Sequence, residues 1–530
     1  MGLRCLKTVC VICVLLACCF TGSCGELDSR SRELRKLGPT IGSLTKVVSP
    51  DLVAVEGYGI VGGLRGTGSG ECPTRVRAYL KQYFLKQMSA YIRSVDEFIS
   101  SRDTAVVRVY GVMSTAVSES RYFDVTVTAL PSTQTTSLEG GWLYKTELKQ
   151  LGRFGLATRI MAKAEGHVFI DALEPIGTDK RAGYVLAGGT VFGEFPVGLV
   201  LRKGDFRIAN AIRNRLNGRF GPNTAKAISA SKIELKVPAR YEKQSQRFIL
   251  MVKSMYLVST VEATQERIKA FVDMLAVSKD KELSEIALEA IGNQSLKQLP
   301  ALLDSQDEEV RLRAGRCMLN LGSSAGLGTL KTIAMDKGSV YRVAALEAIT
   351  AGARRKDAAL ISRQLLRDDD FNIRFAAYEQ LRKLDDITVS RKPIARSFYL
   401  EQIVRTGQKT VFVSRSGQGR IVLFGAPILC CDNMFIQSAN GEITIDSRPG
   451  QQYASVMRKH PTRPTMIGPL RTSLDLGDII ETLCEEPGKR SEQGRLGLGV
   501  TYAEMIALLK QMCEKGAVEA EFLAGPLPKI

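Results

Sequence analysis

The stretch Glu56-Gly-Tyr-Gly-Ile-Val-Gly-Gly-Leu-Arg-Gly-Thr-Gly68 decides how this chain is read. Gly57, Gly59 and Gly62 spell G-x-G-x-x-G, the spacing of a dinucleotide-binding turn. That turn works only where a strand gives way to a helix whose N-terminus meets a pyrophosphate. Here Gly63-Leu64-Arg65-Gly66-Thr67-Gly68-Ser69-Gly70 follows, a second glycine run rather than a helix. No lone carboxylate ends a second strand about 20 residues on, where a ribose partner would stand. Gly66 to Gly70 also lacks the G-K-[ST] of a phosphate loop. The segment reads as a strand with close backbone contacts, then a flexible glycine loop.

The chain has 530 residues, 45% hydrophobic and 24% charged, with 73 Lys and Arg against 55 Asp and Glu. Its length calls for about two to four domains. Its net charge of +18 favours an anionic neighbour. The first residues narrow the choice. Arg4 and Lys7 precede an uncharged apolar run from Thr8 to Phe20, too short to span a bilayer as a helix and built like a secretory signal. Thr21 and Ser23 permit cleavage before Cys24, and Leu15-Leu16-Ala17-Cys18 has the form of a lipoprotein signal, which makes Cys18 (or Cys24) a lipidation candidate. An exported chain has no nucleic acid to meet, and a membrane only through such a lipid anchor. Peptidoglycan carboxylates and anionic headgroups are the natural partners. Six of the 12 cysteines lie in this leader, none forms a C-x-x-C pair, and there are two histidines, so no zinc site is expected. Nothing resembles a nucleophile elbow, and the adjacent Glu485 and Glu486 beside Pro487-Gly488 read as a solvated turn; no enzyme, metal or cofactor is expected.

Residues 40–258 read as mixed α and β. Phe123, Val125, Val127 and Ala129 alternate as on a strand, as do Ile233, Leu235 and Val237, and again Phe248, Leu250 and Val252. Helical spacing appears behind Pro73 (Val76, Leu80, Phe84, Met88) and over Asp205 to Leu216. Residues 262–390 are all-helical and carry a repeat. Val310-Arg311-Leu-Arg-Ala314, Tyr341-Arg342-Val-Ala-Ala345 and Ile373-Arg374-Phe-Ala-Ala377 place alanines 31 and 32 residues apart, each copy behind an acidic turn. This spacing resembles short HEAT-type repeats, a solenoid in which each helix pair buries its apolar face on the next. The arginines and acidic turns are expected to pair from repeat to repeat. Strands return in 395–530, around Thr410, Ile421 and Glu442, with Arg448 to Arg471 read as a mobile basic loop. Thr501-x-x-Glu504 is a capping box, Gly516 ends the helix that it opens, and a last strand spans Val518 to Leu523.

The opening string, here Gly57-Tyr-Gly-Ile-Val-Gly-Gly-Leu-Arg-Gly-Thr-Gly68, resembles the N-terminal signature of the bacterial flagellar P-ring proteins. So do Leu138-Glu-Gly-Gly-Trp142, Asp205-Phe206, Phe412-Val-Ser-Arg-Ser-Gly417 and Leu498-Gly-Val-Thr-Tyr-Ala-Glu-Met505. The resemblance covers roughly two thirds of the chain and is interrupted by the helical block. It implies an α+β fold: a discontinuous P-ring-like unit (40–258 and 395–530, after a signal peptide at 1–24) with a solenoid at 262–390 between two of its strands. It further implies a structural, non-catalytic ring subunit in the periplasm, assembling with itself around the flagellar rod, near the L-ring protein, and held in peptidoglycan. Arg153, Arg159, Lys163, Lys180, Arg181, Arg458, Lys459 and Arg463 are the candidates to face the wall; each is otherwise an ordinary solvated charge. The family's disulfide would join Cys430 or Cys431 to the position after the last helix, which is Ala517 here; Cys513 lies one turn earlier. The lipoprotein-like leader and the repeats depart from the family. They leave open a second reading, a non-flagellar envelope scaffold or lipoprotein whose repeats recruit a protein.

Overall fold

A computed structural model describes residues 37–48, 52–88, 94–114, 121–131, 133–153, 158–173, 179–193, 195, 197–460, 465–487 and 497–530. In chain order, β1 (Thr45–Val48) leads into β2 (Leu52–Gly62), α1 (Thr74–Met88), α2 (Val95–Ser100), β3 (Thr104–Ser114), β4 (Tyr122–Ala129), β5 (Trp142–Gln150), β6 (Ile160–His167) and β7 (Ala182–Val191). Next come β8 (Val197–Leu201), α3 (Phe206–Phe220), β9 (Ala225–Ala227), β10 (Lys232–Leu235) and α4 (Ser245–Ser254). The helical block holds α5 (Val261–Val277), α6 (Glu282–Ile291), α7 (Glu308–Asn320), α8 (Leu327–Met335), α9 (Arg342–Gly352), α10 (Arg355–Leu365) and α11 (Phe371–Lys383). The remainder is β11 (Val389–Ile394), β12 (Phe398–Val404), β13 (Thr410–Val413), β14 (Arg420–Ala426), β15 (Met434–Gln437), β16 (Ile443–Ser447), β17 (Tyr453–Lys459), β18 (Met466–Ser473), α12 (Leu476–Cys484), α13 (Tyr502–Glu514) and β19 (Glu521–Ala524). This is an α+β protein, as expected.

It forms two compact units, both discontinuous: Met1–Ser49 with Pro196–Arg354, and Pro50–Phe195 with Arg355–Ile530. The division differs from the one expected. Residues 196–258 pack with the repeats rather than with the rest of 40–258, and α10 and α11 pack with the C-terminal strands.

In the barrel-containing unit, β2-β3-β4-β7-β6-β5 close into an antiparallel barrel. Its core is β-branched or small: Val107, Val109, Val125, Val127, Ala162, Ala164 and Val185. A barrel of few strands has room for little more. The glycine signature is what lets it close. Between Glu56 and Val61 the ladder from β2 to β5 breaks register. A Cβ on Gly57 would stand 2.3 Å from the Glu147 carbonyl oxygen, and one on Gly59 2.1 Å from Thr146 Oγ1. No helix begins at the second glycine run. Instead the Leu64, Gly68 and Ser69 N–H groups donate to the Asp103, Arg102 and Thr104 carbonyls at 3.0, 2.8 and 2.9 Å. The run is stitched along the start of β3.

The C-terminal part of this unit is a mixed sheet, β11-β12-β14-β13-β19, and an antiparallel sheet, β15-β16-β17-β18. Arg448 to Arg471 is thus no loop: most of it is β17 and β18. Ile421, Leu423, Ile443 and Ile445 share one core with Ile479, Met505 and Leu509 of α12 and α13, and with Phe169 from the N-terminal segment. Asp171 accepts from Arg415 Nη1 at 2.8 Å, and Asp124 accepts from the Gly417 N–H at 2.8 Å and the Ala187 N–H at 2.6 Å. Helix α11 joins through stacked rings (Phe375 to Phe412 4.6 Å, Phe371 to Phe424 5.6 Å) and through buried Glu401, which accepts from Tyr378 and from Arg382 and Arg391 at 3.1 and 2.9 Å.

In the other unit, the sheet β1-β8-β10-β9 packs on α3 and α4, and Ile286 and Ala290 of α6 complete the same core. The expected strand at Phe248 is helix α4, with Phe248, Met251 and Val252 buried at helical spacing. Ala314, Ala345 and, in the barrel-containing unit, Ala377 are each fully buried, as close helix approach requires. The repeat arginines do not work as expected. Each donates to backbone carbonyls just before its own helix: Arg311 to Ser305 (2.7 Å) and Gln306, Arg342 to Ala334 (3.1 Å), Arg374 to Asp368 (2.9 Å) and Asp369. A cation there answers the negative end of the preceding helical segment. Other residues link successive repeats: Lys281 pairs with Asp307 and Glu309, and Ser339 donates to Glu308.

Glu285 and Glu289 of α6 are fully buried. Arg247 of α4 reaches both, at 2.6 and 2.5 Å, and Arg313 and Arg316 of α7 reach Glu285 at 3.0 and 2.5 Å. Burial pushes the Glu285 carboxyl up, but Arg247 and Arg316 outweigh it and hold it below its ordinary value of 4.5. The stabilisation it gives is therefore full above pH 4.5 and is lost as pH falls below that value. Glu285→Gln should cost about 3–5 kcal/mol at pH 7 and narrow the gap between denaturant midpoints at pH 7 and pH 4. Gly57→Ala should cost roughly 1–3 kcal/mol or more by overpacking the β2–β5 crossing, seen as a lower thermal midpoint.

Candidate anchoring surface

The eight basic candidates separate by what they touch. Arg458 is not outward-facing. It is 4% exposed, bonds the Leu498 and Gly499 carbonyls, and pairs with Glu504 at 3.1 Å. Glu504 also completes the capping box of α13, accepting from the Thr501 N–H at 2.8 Å. Arg458 thus ties β17 to the start of that helix. Arg181 gives Nη2 to the Leu130 and Thr133 carbonyls at 3.0 and 3.2 Å, a structural use. Lys180 meets Glu139 at 2.7 Å with both side chains more than half exposed, a pair worth little. Arg463 lies outside the described residues.

The others are surface cations. Arg153 follows β5 and Lys459 ends β17, both exposed. Arg159 and Lys163 share a patch at the β6–β7 edge of the barrel. Arg159 lies 5.4 Å above the Phe195 ring, and the Lys163 ammonium 4.7 Å above Phe192, itself 50% exposed. Tyr122, Thr190 and Lys163 stand opposite one another across β4, β7 and β6, so one outer face carries them together. Cations over aromatic faces are held by the ring quadrupole while staying in water. The sequence reading found these cations but not their aromatic partners, because Phe192 and Phe195 follow a strand whose alternation ends at Val191.

The expected disulfide is not formed: Cys430, Cys431 and Cys513 are free thiols, as are the other described cysteines. Cys430 points into the core, and burial, with Asp475 and the neighbouring thiols, pushes it up to about 12. Burial pushes Cys513 up to about 11. Cys431 is exposed, its Sγ 3.4 Å from the Gly516 carbonyl. Cys18 and Cys24 lie outside the described residues. Among the described residues no group of His, Cys, Asp and Glu is arranged to hold a metal, and no helix is long and apolar enough to cross a membrane.

The family model described as flagellar P-ring protein matches residues 40–273, from the turn before β1 into α5. The chain belongs to the flagellar P-ring protein family. The flagellar P-ring protein of Campylobacter lari is 30% identical over 226 residues, which is 39% of this chain and 61% of that protein. Those of Pseudothermotoga lettingae and Aeromonas hydrophila are each 26% identical, over 37% and 47% of this chain and 60% and 68% of theirs. The chain thus spans about 60% of the length of several curated relatives it matches. The P-ring match holds the whole barrel and the β1-β8-β10-β9 sheet, and stops within the first helix of the repeat block.

Arg458→Ala, which strands Glu504 and two carbonyls, should lower stability by about 3 kcal/mol, whereas Lys163→Ala should change it by less than about 0.5 kcal/mol. Urea titrations of the two variants check this.

Proposed function

We propose that this chain is a structural, non-catalytic subunit of the periplasmic P ring of the flagellar basal body. Copies assemble head to tail into a closed ring around the rod, beside the L-ring protein, and the ring is held in peptidoglycan. The match of residues 40–273 to the P-ring family carries this reading. A closed ring needs subunits that do not deform, because a heterologous contact closes only at a fixed rotation. The sealed barrel and the Asp124 and Asp171 contacts to the Ser414–Gly417 loop supply such a body. Arg153, Arg159, Lys163 and Lys459 are the cations left free to meet wall carboxylates.

One observation favours a second reading. The repeats after residue 273 lie outside the P-ring match, and a solenoid presents a long surface suited to a protein partner. On that reading the chain is an envelope scaffold that reuses the P-ring fold and recruits a partner through its repeats.

Deleting the gene should abolish basal-body rings and swimming, and the purified mature protein should form closed circles under negative stain. Intact rings and motility after deletion would overturn the flagellar reading and leave the scaffold.

A further inference from the structure

In the sheet-and-repeat unit, Arg215 of α3 and Arg267 of α5 face one crevice of about 10 Å³, walled also by Ser254, Tyr256 and Ala290. That volume admits one oxygen-sized atom. Arg267 is 6% exposed and fully engaged. Its Nε and Nη2 donate to the Leu37 carbonyl at 3.0 and 2.8 Å, Nη1 donates to Val258 at 2.6 Å, and its plane covers the Tyr256 ring at 4.0 Å. Arg215 is only half engaged. Its Nε donates to the Tyr256 carbonyl at 3.2 Å, and among the described residues its two terminal nitrogens meet no acceptor. Arg219, one turn on, spends Nε and Nη2 on the Ala290 and Glu289 carbonyls at 3.2 and 2.9 Å. Among the described residues no carboxylate pairs with any of the three.

Guanidiniums brought together and partly stripped of water repel one another unless an anion joins them. The strain is visible in Arg215: burial, then the charges of Arg219 and Arg267, pull its pKa down. Everything else in this unit answers its buried arginines with carboxylates, as Glu285 and Glu289 answer Arg247. We infer that the Arg215–Arg267 crevice is a binding site for a single carboxylate, one oxygen entering the crevice and both facing the terminal nitrogens of Arg215. A planar carboxylate matches that fork, and the Ser254 hydroxyl at the wall offers a further donor. The carboxylate comes either from another molecule or from this chain: Asp28 and Glu33 precede Leu37, whose carbonyl Arg267 holds.

Thermal unfolding of the full chain in 100 mM sodium acetate against 100 mM sodium chloride tests this. A ligand bound only by the folded state should raise the midpoint by about 2 °C or more, and Arg215→Gln should abolish the rise. Should Arg215→Gln fail to fold, Arg215→Lys keeps the charge, loses the fork and should shrink the shift. If this chain's own carboxylate fills the crevice, acetate will stabilise the Asp28→Asn/Glu33→Gln double variant and not the parent. No acetate-specific shift in either background, or an equal shift in the Arg215 variant, would overturn the site.

Discussion

Arg415 reaches Asp171 across 244 residues of sequence, and the Gly417 N–H reaches Asp124 across 293. One short loop is thereby held by two strand-side carboxylates, and Phe169 follows it into the C-terminal core beside Tyr502. The Asp171 carboxylate is 2% exposed, so breaking its pair would leave a buried charge, at about 3–5 kcal/mol. Everything else in the unit presupposes this contact. Without it the barrel and the C-terminal sheets would each keep an uncovered apolar face.

The helical block is bound at its two ends by different chemistry. Its first helices complete the core of a β-sheet through Ile286 and Ala290, and lock to α4 through Arg247 and two buried glutamates. Its last pair lies in the other unit, held by stacked phenylalanines and by Glu401. The repeat is continuous in sequence yet divided in packing. Interiors demand both shape and charge closure, and each end of the block found its partner in a different neighbour.

Much of this was legible because it rests on local rules. The glycine signature announced close backbone approach, and Gly57 and Gly59 meet β5 at distances no Cβ tolerates. The Thr501–Glu504 box and the buried alanines of the repeat came out as read. The misreadings share a cause, residues whose partners are remote. Phe248, Leu250 and Val252 alternate within a continuous apolar run, which periodicity cannot assign; α6 decides it by packing on the helical face. Arg458 looked like loop charge because its partner Glu504 lies 46 residues away. Asp124 and Asp171 passed as ordinary polar positions for the same reason. The domain boundary near residue 260 marks a real change in composition, but composition does not show which side completes whose core.

The long span between Asp171 and Arg415 has a consequence for how the molecule is made. The barrel can close once β7 has been synthesised, since all its strands lie within one stretch of chain. Its Phe169 face then waits for the C-terminal sheets, which at about 5–20 residues per second arrive on the order of tens of seconds later. Through that interval Phe169, Leu173, Tyr184 and Leu186 have no core to enter. A newborn chain therefore carries a sticky patch whose lifetime is set by the length of the insertion, and each added repeat would lengthen it.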